Sequence, residues 1–228
     1  MKLKFLISLL SSVLMLACYM PASAQLTKEQ QKERKEILKV SKSQLNSKAT
    51  KAARKEAKRL KKEGWQTTPG TLAIDKQIDK SFLMQYEYGE DMYPKYIMGE
   101  AMSIGGNYDA AKMQATELAK QNLAGQIQTE IRAIIENTVA NEQLNAEEAE
   151  SITRSVLASK NLIIQSLGKI IPVVEIYRTL QNKNKEVFVR IAYSGDEAKK
   201  VAKSAIRRNL EDQGEKLHSQ LDQMLGLL

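Results

Sequence analysis

Acidic side chains are the main candidates for chemistry in this chain, because histidine and cysteine occur once each, as His218 and Cys18. Glu87, Glu90 and Asp91 lie close together, and two carboxylates alone suffice for glycoside hydrolysis, one as acid and one as base or nucleophile. Glu147, Glu148 and Glu150 could offer oxygen ligands to a hard cation. They fall at an expected helix start, however, as do Asp196 and Glu197, and carboxylates there offset the helix dipole without any ligand. A lone His218 cannot build a metal site, and the chain has no GxxxxGK[ST], HExxH, GxSxG, CxxC or EF-hand loop. The expectation is a protein that is not an enzyme, with no catalytic residue, no cofactor and no metal. Trp65, Tyr86, Tyr88, Tyr93 and Tyr96 supply rings with polar tips, the lining of saccharide or peptide grooves. The alternative reading is thus a periplasmic ligand-binding module using the tyrosine-rich segment 86–96.

Charge points to a different kind of partner. Of 228 residues, 35 are Lys or Arg and 27 Asp or Glu. Residues 28–63 hold 14 basic and 5 acidic side chains, whereas residues 64–195 hold 13 and 16. Basicity is therefore the property of an arm. Its densest part carries Lys51, Arg54, Lys55, Lys58, Arg59, Lys61 and Lys62 against the single acid Glu56 up to Lys62. Like charges at i,i+4, such as Lys51 with Lys55 and Lys58 with Lys62, cost an isolated helix about 0.2 to 0.5 kcal/mol each, and an anionic surface relieves that repulsion. These seven residues are the expected anionic-surface contacts.

The N-terminal residues decide which surfaces are in reach. Lys2 and Lys4 precede an apolar run from Phe5 to Ala17, and Pro21-Ala22-Ser23-Ala24-Gln25 follows. This reads as a secretory signal peptide over residues 1–24, cleaved between Ala24 and Gln25. The run falls short of the roughly 20 residues that a membrane-spanning helix needs, so no transmembrane helix is expected in the mature chain. Leu16-Ala17-Cys18 offers a rival processing site with Cys18 lipidated. Export to the periplasm or outer-membrane face of a Gram-negative-type bacterium makes nucleic acid an unexpected partner.

Four segments must position these groups. The arm, residues 25–63, has no Pro or Gly, and its thin stripe of Ile37, Leu38, Leu45, Ala49, Ala52, Ala53, Ala57 and Leu60 predicts a helix that docks weakly or frays. In residues 64–195, Leu72, Ile74, Ile78, Phe82 and Leu83 mark one helix face. Residues 96–104 read as a strand in which Gly99 marks a bulge or close approach. Asn107 caps a long helix running toward Ala140, with a stripe of Ala111, Ala115, Leu118, Ala119, Ala124, Ile127, Ile131, Ile134, Ile135 and Val139. Gly125 is expected in close contact there. Asn145 starts a further helix through Ile163, and residues 173–180 and 186–193 form a hairpin about Gln181-Asn182-Lys183-Asn184-Lys185. The fold class is α+β: a small antiparallel sheet packed on a long helix, with a helical N-terminal arm and a C-terminal helix. In that last helix, residues 196–228, Leu210, Leu217, Leu221, Met224 and Leu228 follow coiled-coil spacing, a seam for self-association or for folding back on the domain.

The order GEAMSIGGNYDAAKMQATELAKQNLAGQIQTEI, a second helix, then IPVVEIYRTLQNKNKEVFVRIAY resembles the LPP-twenty family of bacterial envelope lipoproteins. It is also similar to the N-terminal domain of flagellar assembly protein T. The resemblance implies a curved sheet on a long helix in an exported protein that binds or scaffolds other envelope proteins. It carries over no catalytic residue.

Overall fold

The computed structural model describes Lys28, Glu29, Lys32, Arg34 to Glu36, Lys39, and residues 47–89, 93–140, 146–210 and 221–222. Backbone packing divides the chain into residues 1–48 and a unit from Ala49 onward. In the first unit the described residues 28, 29, 32, 34 to 36 and 39 are helical.

The second unit is α+β. Helix α1 (Lys51–Lys62) and α2 (Ile74–Gln85) precede strand β1 (Tyr96–Gly105) and the long α3 (Tyr108–Ala140). Then come α4 (Ala146–Ala158), α5 (Lys160–Ser166), β2 (Ile171–Thr179), β3 (Lys185–Ser194) and α6 (Gly195–Asn209). The sheet order is β1-β3-β2, with both pairings antiparallel. The hairpin turns through Lys183, whose φ of 66° is the left-handed residue that a three-residue loop demands. Leu180 N–H bonds to the Asn184 carbonyl and Lys183 N–H to the Leu180 carbonyl, closing it.

Alternation along each strand sends side chains to two cores. On one face Val187, Val189, Ile191 and Tyr193 meet α3 and the later helices, with Leu123, Ile127, Ile131, Ile152, Val156, Ile163 and Ile206 among the buried residues. On the other, Val174, Ile176 and Ala192 meet α1 and α2 through Ala53, Ala57, Trp65, Ile74 and Ile78. The odd positions of β1 explain the intimacy of the first core. A Cβ built on Gly99 would lie 2.3 Å from the Ala119 carbonyl oxygen and 2.7 Å from Leu123 Cβ, so β1 rests directly on the α3 backbone. Asn107 Oδ1 accepts from Ala110 N–H at 2.8 Å, the expected start of α3.

The structure corrects five expectations. Ala49, Ala53 and Ala57 are buried and α1 packs on α2, so residues 49–63 belong to the domain; small side chains let the two helices approach closely. Leu72, Leu83 and Leu118 are exposed, at 40%, 65% and 37%, and drop out of their stripes. Gly125 is half-buried, its built Cβ meets only Lys160 Nζ at 3.9 Å, and it makes no close helix contact. The helix expected through Ile163 breaks at Ser159. There Gln128 Nε2 donates to the Val156 carbonyl at 2.6 Å and to that of Leu157 at 3.2 Å, and Ser159 Oγ also donates to Val156 at 2.6 Å. Side chains thus satisfy carbonyls that a continuing helix would have used. Last, α6 folds back on the domain: Ala198, Ala202, Ala205, Ile206, Leu210 and Leu221 all lie in the core on the α3 face. Leu210 and Leu221 are fully buried within the one chain and so are not available as an oligomer seam. Leu217, Met224 and Leu228 lie outside the described residues.

The two sheet edges differ. The outer edge of β2 is covered: Gln66 exchanges both backbone hydrogen bonds with Tyr177, at 2.8 and 2.9 Å, and Gln77 Oε1 accepts from Glu175 N–H at 2.7 Å. Along β1, the Asn122 amide reaches the Glu100 carbonyl at 2.7 Å, while the side chains of Met102 and Ile104 are 55% and 51% exposed.

Candidate functional site

The basic residues of α1 derive their arrangement from how that helix is held. Thr50 caps it, its Oγ1 accepting from Ala53 N–H at 3.3 Å. The Thr50 hydroxyl and N–H donate in turn to Asp79 Oδ1 of α2, at 2.7 and 3.0 Å. At the other end Gly64, with φ 87°, closes a Schellman turn in which Trp65 N–H bonds to the Leu60 carbonyl at 3.0 Å. Trp65 is thereby folded under the helix, only 6% exposed. Both ends and the alanine face are fixed, and the opposite face is dictated by geometry.

At about 100° per residue, Lys51, Arg54, Lys55, Lys58, Lys61 and Lys62 fall on one arc of roughly 120°, whose middle lies about 120° around the helix from Ala53 and Ala57. All six are exposed. Among the described residues none of the six is ion-paired. Arg59 is different. It sits on the flank, where its guanidinium bonds to Glu56 at 2.5 Å and to Glu63 at 2.6 Å. The hydrogen bonds and charges of these two carboxylates hold Arg59 well above its ordinary pKa, and the Arg59 hydrogen bond holds Glu56 below its own. The structure therefore gathers six of the seven expected surface contacts and assigns Arg59 to an internal ion-pair cluster.

Inward of Arg59 lies a groove of about 410 Å³ between α1, α2 and the sheet. Its apolar floor is Trp65, Ile78, Phe82, Met102, Ile176 and Phe188. Arg178 stacks 4.8 Å over Trp65 and bonds to Glu186 at 2.5 Å. Arg190 bonds to Glu100 at 2.6 Å and to Ser81 Oγ at 2.6 Å. These two arginines are committed to the sheet face and add no free charge.

The aromatic segment does not gather into one groove. Trp65 sits near Tyr177 and Arg178, at the end of the sheet where β1 finishes, whereas Tyr96 pairs with Ser194 at the opposite end. Tyr93 packs against the core on the α3 side and Tyr96 against the other core. Tyr86 and Tyr88 are 70% and 54% exposed. Glu87 is paired with Lys95 at 2.5 Å, which raises the Lys95 pKa; Glu90 and Asp91 lie outside the described residues. So do Cys18, Ala24, Gln25 and His218. Among the described residues no group of three or more His, Cys, Asp or Glu side chains is placed to hold a metal ion, and no helix is long and apolar enough to cross a membrane.

Sequence reasoning missed Gln77. It lies on the buried stripe of α2 with Ile74, Ile78 and Ser81, and a glutamine at that spacing was the available signal. Its amide donates to the Leu72 carbonyl and accepts from Glu175 N–H, each at 2.7 Å, which ties α2 to the edge of β2. No family model matches the chain, and no curated protein and no solved structure matches it either.

Proposed function

We propose that this is an exported, non-catalytic adaptor of the bacterial cell envelope, attached to an anionic envelope surface by the outer face of α1. One observation carries the reading: six cations without an ion-pair partner among the described residues share one exposed arc of a helix whose other face is locked into the domain. A solvated helix has no need of such one-sidedness, because mixed charges at i,i+4 would stabilise it further. The export signal read in residues 1–24 sets the compartment, and the resemblance to envelope lipoproteins agrees with a scaffolding role. Other envelope proteins are the remaining partners.

If each cation near an anionic surface contributes on the order of 1 kcal/mol, the six together give firm but salt-sensitive attachment. The Debye length falls from about 10 Å at 0.1 M to 3 Å at 1 M, so the attachment is lost at high salt. The test is co-sedimentation with vesicles of phosphatidylglycerol and phosphatidylethanolamine. Wild type pellets at low salt, and a variant with Lys55, Lys58, Lys61 and Lys62 changed to Gln stays in the supernatant, with unchanged thermal unfolding. Equal pelleting of the two proteins overturns the reading.

A further inference from the structure

Beside the first half of β1 lies a second groove, of about 600 Å³, bounded by α3 and the start of α5 on one side and by the end of α2 on the other. A small-molecule site commonly measures about 300 to 1,000 Å³. The lining is polar, and most of that polarity is uncommitted. Among the described residues the side chains of Gln85, Gln121 and Gln126 make no hydrogen bond, and Asn122 spends only an N–H, on the Glu100 carbonyl at 2.7 Å. Each side-chain amide both donates and accepts, as a hydroxyl group does. Of the charges, Arg190 is neutralised by Glu100, to which it bonds at 2.6 Å. Lys160 is exposed and has no ion-pair or hydrogen-bonding partner for its ammonium among the described residues. The groove therefore carries one net positive charge.

Gly125, which lines the same groove, points to a ligand independently. A glycine inside a helix is destabilising relative to alanine, and close packing is the usual compensation. Here there is none: a built Cβ meets only Lys160 Nζ, at 3.9 Å, so the fold itself has room for alanine. Helix α3 is meanwhile held firmly to either side of this residue. Leu123 lies against Gly99, and Gln128 bonds to the Val156 and Leu157 carbonyls, which sets the start of α5, and with it Lys160, over the same turn. Bare helix backbone beneath an ammonium lets a ligand approach the main chain closely.

We propose that this groove binds a saccharide carrying one carboxylate, with its hydroxyls on the four amides, its ring over Gly125 and its carboxylate on Lys160. One ammonium matches the single charge of a carboxylate better than the about two charges of a phosphate. An extended peptide fits less well. It would add to β1 through backbone bonds, and the Glu100 carbonyl in the middle of that row is already taken by Asn122. An acyl chain finds one apolar side chain among the described lining residues, Met98. The site stands on these residues alone; the choice of glycans below rests on the export proposed above, which brings cell-wall and acidic surface polysaccharides within reach.

The test is titration of the isotope-labelled full chain with N-acetylmuramic acid, glucuronic acid and N-acetylglucosamine, followed by amide chemical shifts. The first sugar is the third with a lactyl carboxylate added, and the two acids separate a cell-wall source from an acidic polysaccharide. At least one acid shifts the amides of Gly99, Gly125 and Lys160 and binds more tightly than N-acetylglucosamine. Lys160→Gln weakens the acid roughly tenfold, the scale of a lost hydrogen bond to a charged group, and leaves N-acetylglucosamine unchanged. Gly125→Ala weakens all three sugars while melting at or above wild type, which a purely structural glycine would not do. No shift with any sugar, shifts confined to residues outside the groove, an acid affinity unchanged in either variant, or larger shifts with an acetylated acidic tripeptide than with either acid overturns the proposal. None of these readouts involves the cations of α1, so saccharide binding and attachment to vesicles fail separately.

Discussion

Gly99→Ala should be the most damaging single-methyl change in the domain, and the structure says by what route. The added Cβ would sit 2.3 Å from the Ala119 carbonyl oxygen and 2.7 Å from both Leu123 Cβ and Leu123 N. Ordinary contact begins near 3.4 Å, so β1 and α3 must separate by about 1 Å. Two of the three clashing atoms are backbone, and no rotamer change relieves them. A gap of 0.5 to 1 Å forfeits a quarter to a half of each dispersion contact across it. The affected contacts include those of Ala115, Ala119 and Leu123, all fully buried. Overpacking of this kind costs about 1 to 3 kcal/mol where side chains can yield. Against rigid backbone the upper end applies, roughly 3 kcal/mol. For a domain of this size each kcal/mol lowers the melting temperature by about 2 to 4 °C, so a fall near 6 to 12 °C is expected by calorimetry or circular dichroism. Gly106→Ala is the matched control: nothing lies within 4 Å of its Cβ, and the change should be neutral or slightly stabilising. If Gly99→Ala melts within 2 °C of wild type, the close approach of β1 to α3 is refuted.

Two further outcomes follow from the buried polar groups. Gln77→Leu leaves the Glu175 N–H and the Leu72 carbonyl without their partner; an unsatisfied buried group costs about 1 to 3 kcal/mol, and chemical denaturation should show a loss in that range. Burial, and then the hydrogen bond and charge of Glu175, push the Tyr108 phenol above its ordinary 10.0. The unfolded chain therefore loses this proton first, stability is retained up to about pH 10 and declines above it, and Tyr108→Phe flattens that alkaline decline in melting temperature against pH.

The elements were legible where period and punctuation agreed. The β1 boundaries, the start of α3 at Asn107 and the hairpin about Asn182 and Lys183 all follow from local signals: alternation, a capping side chain, a left-handed turn residue. Three things were hidden, for different reasons. Alanine gives a weak hydrophobic signal, so the docking of α1 was underestimated, although a small side chain is what allows close helix contact. The break at Ser159 depends on Gln128, which is distant in sequence and local only in the fold. Leu118 reads as core by period but is 37% exposed, because it falls to the side of the stripe of Ala111, Ala115 and Ala119 that the core buries. Of the charged face, the sequence shows the excess of cations. It does not show that Arg59 is withdrawn by Glu56 and Glu63, since both faces of a helix contain i,i+3 and i,i+4 neighbours.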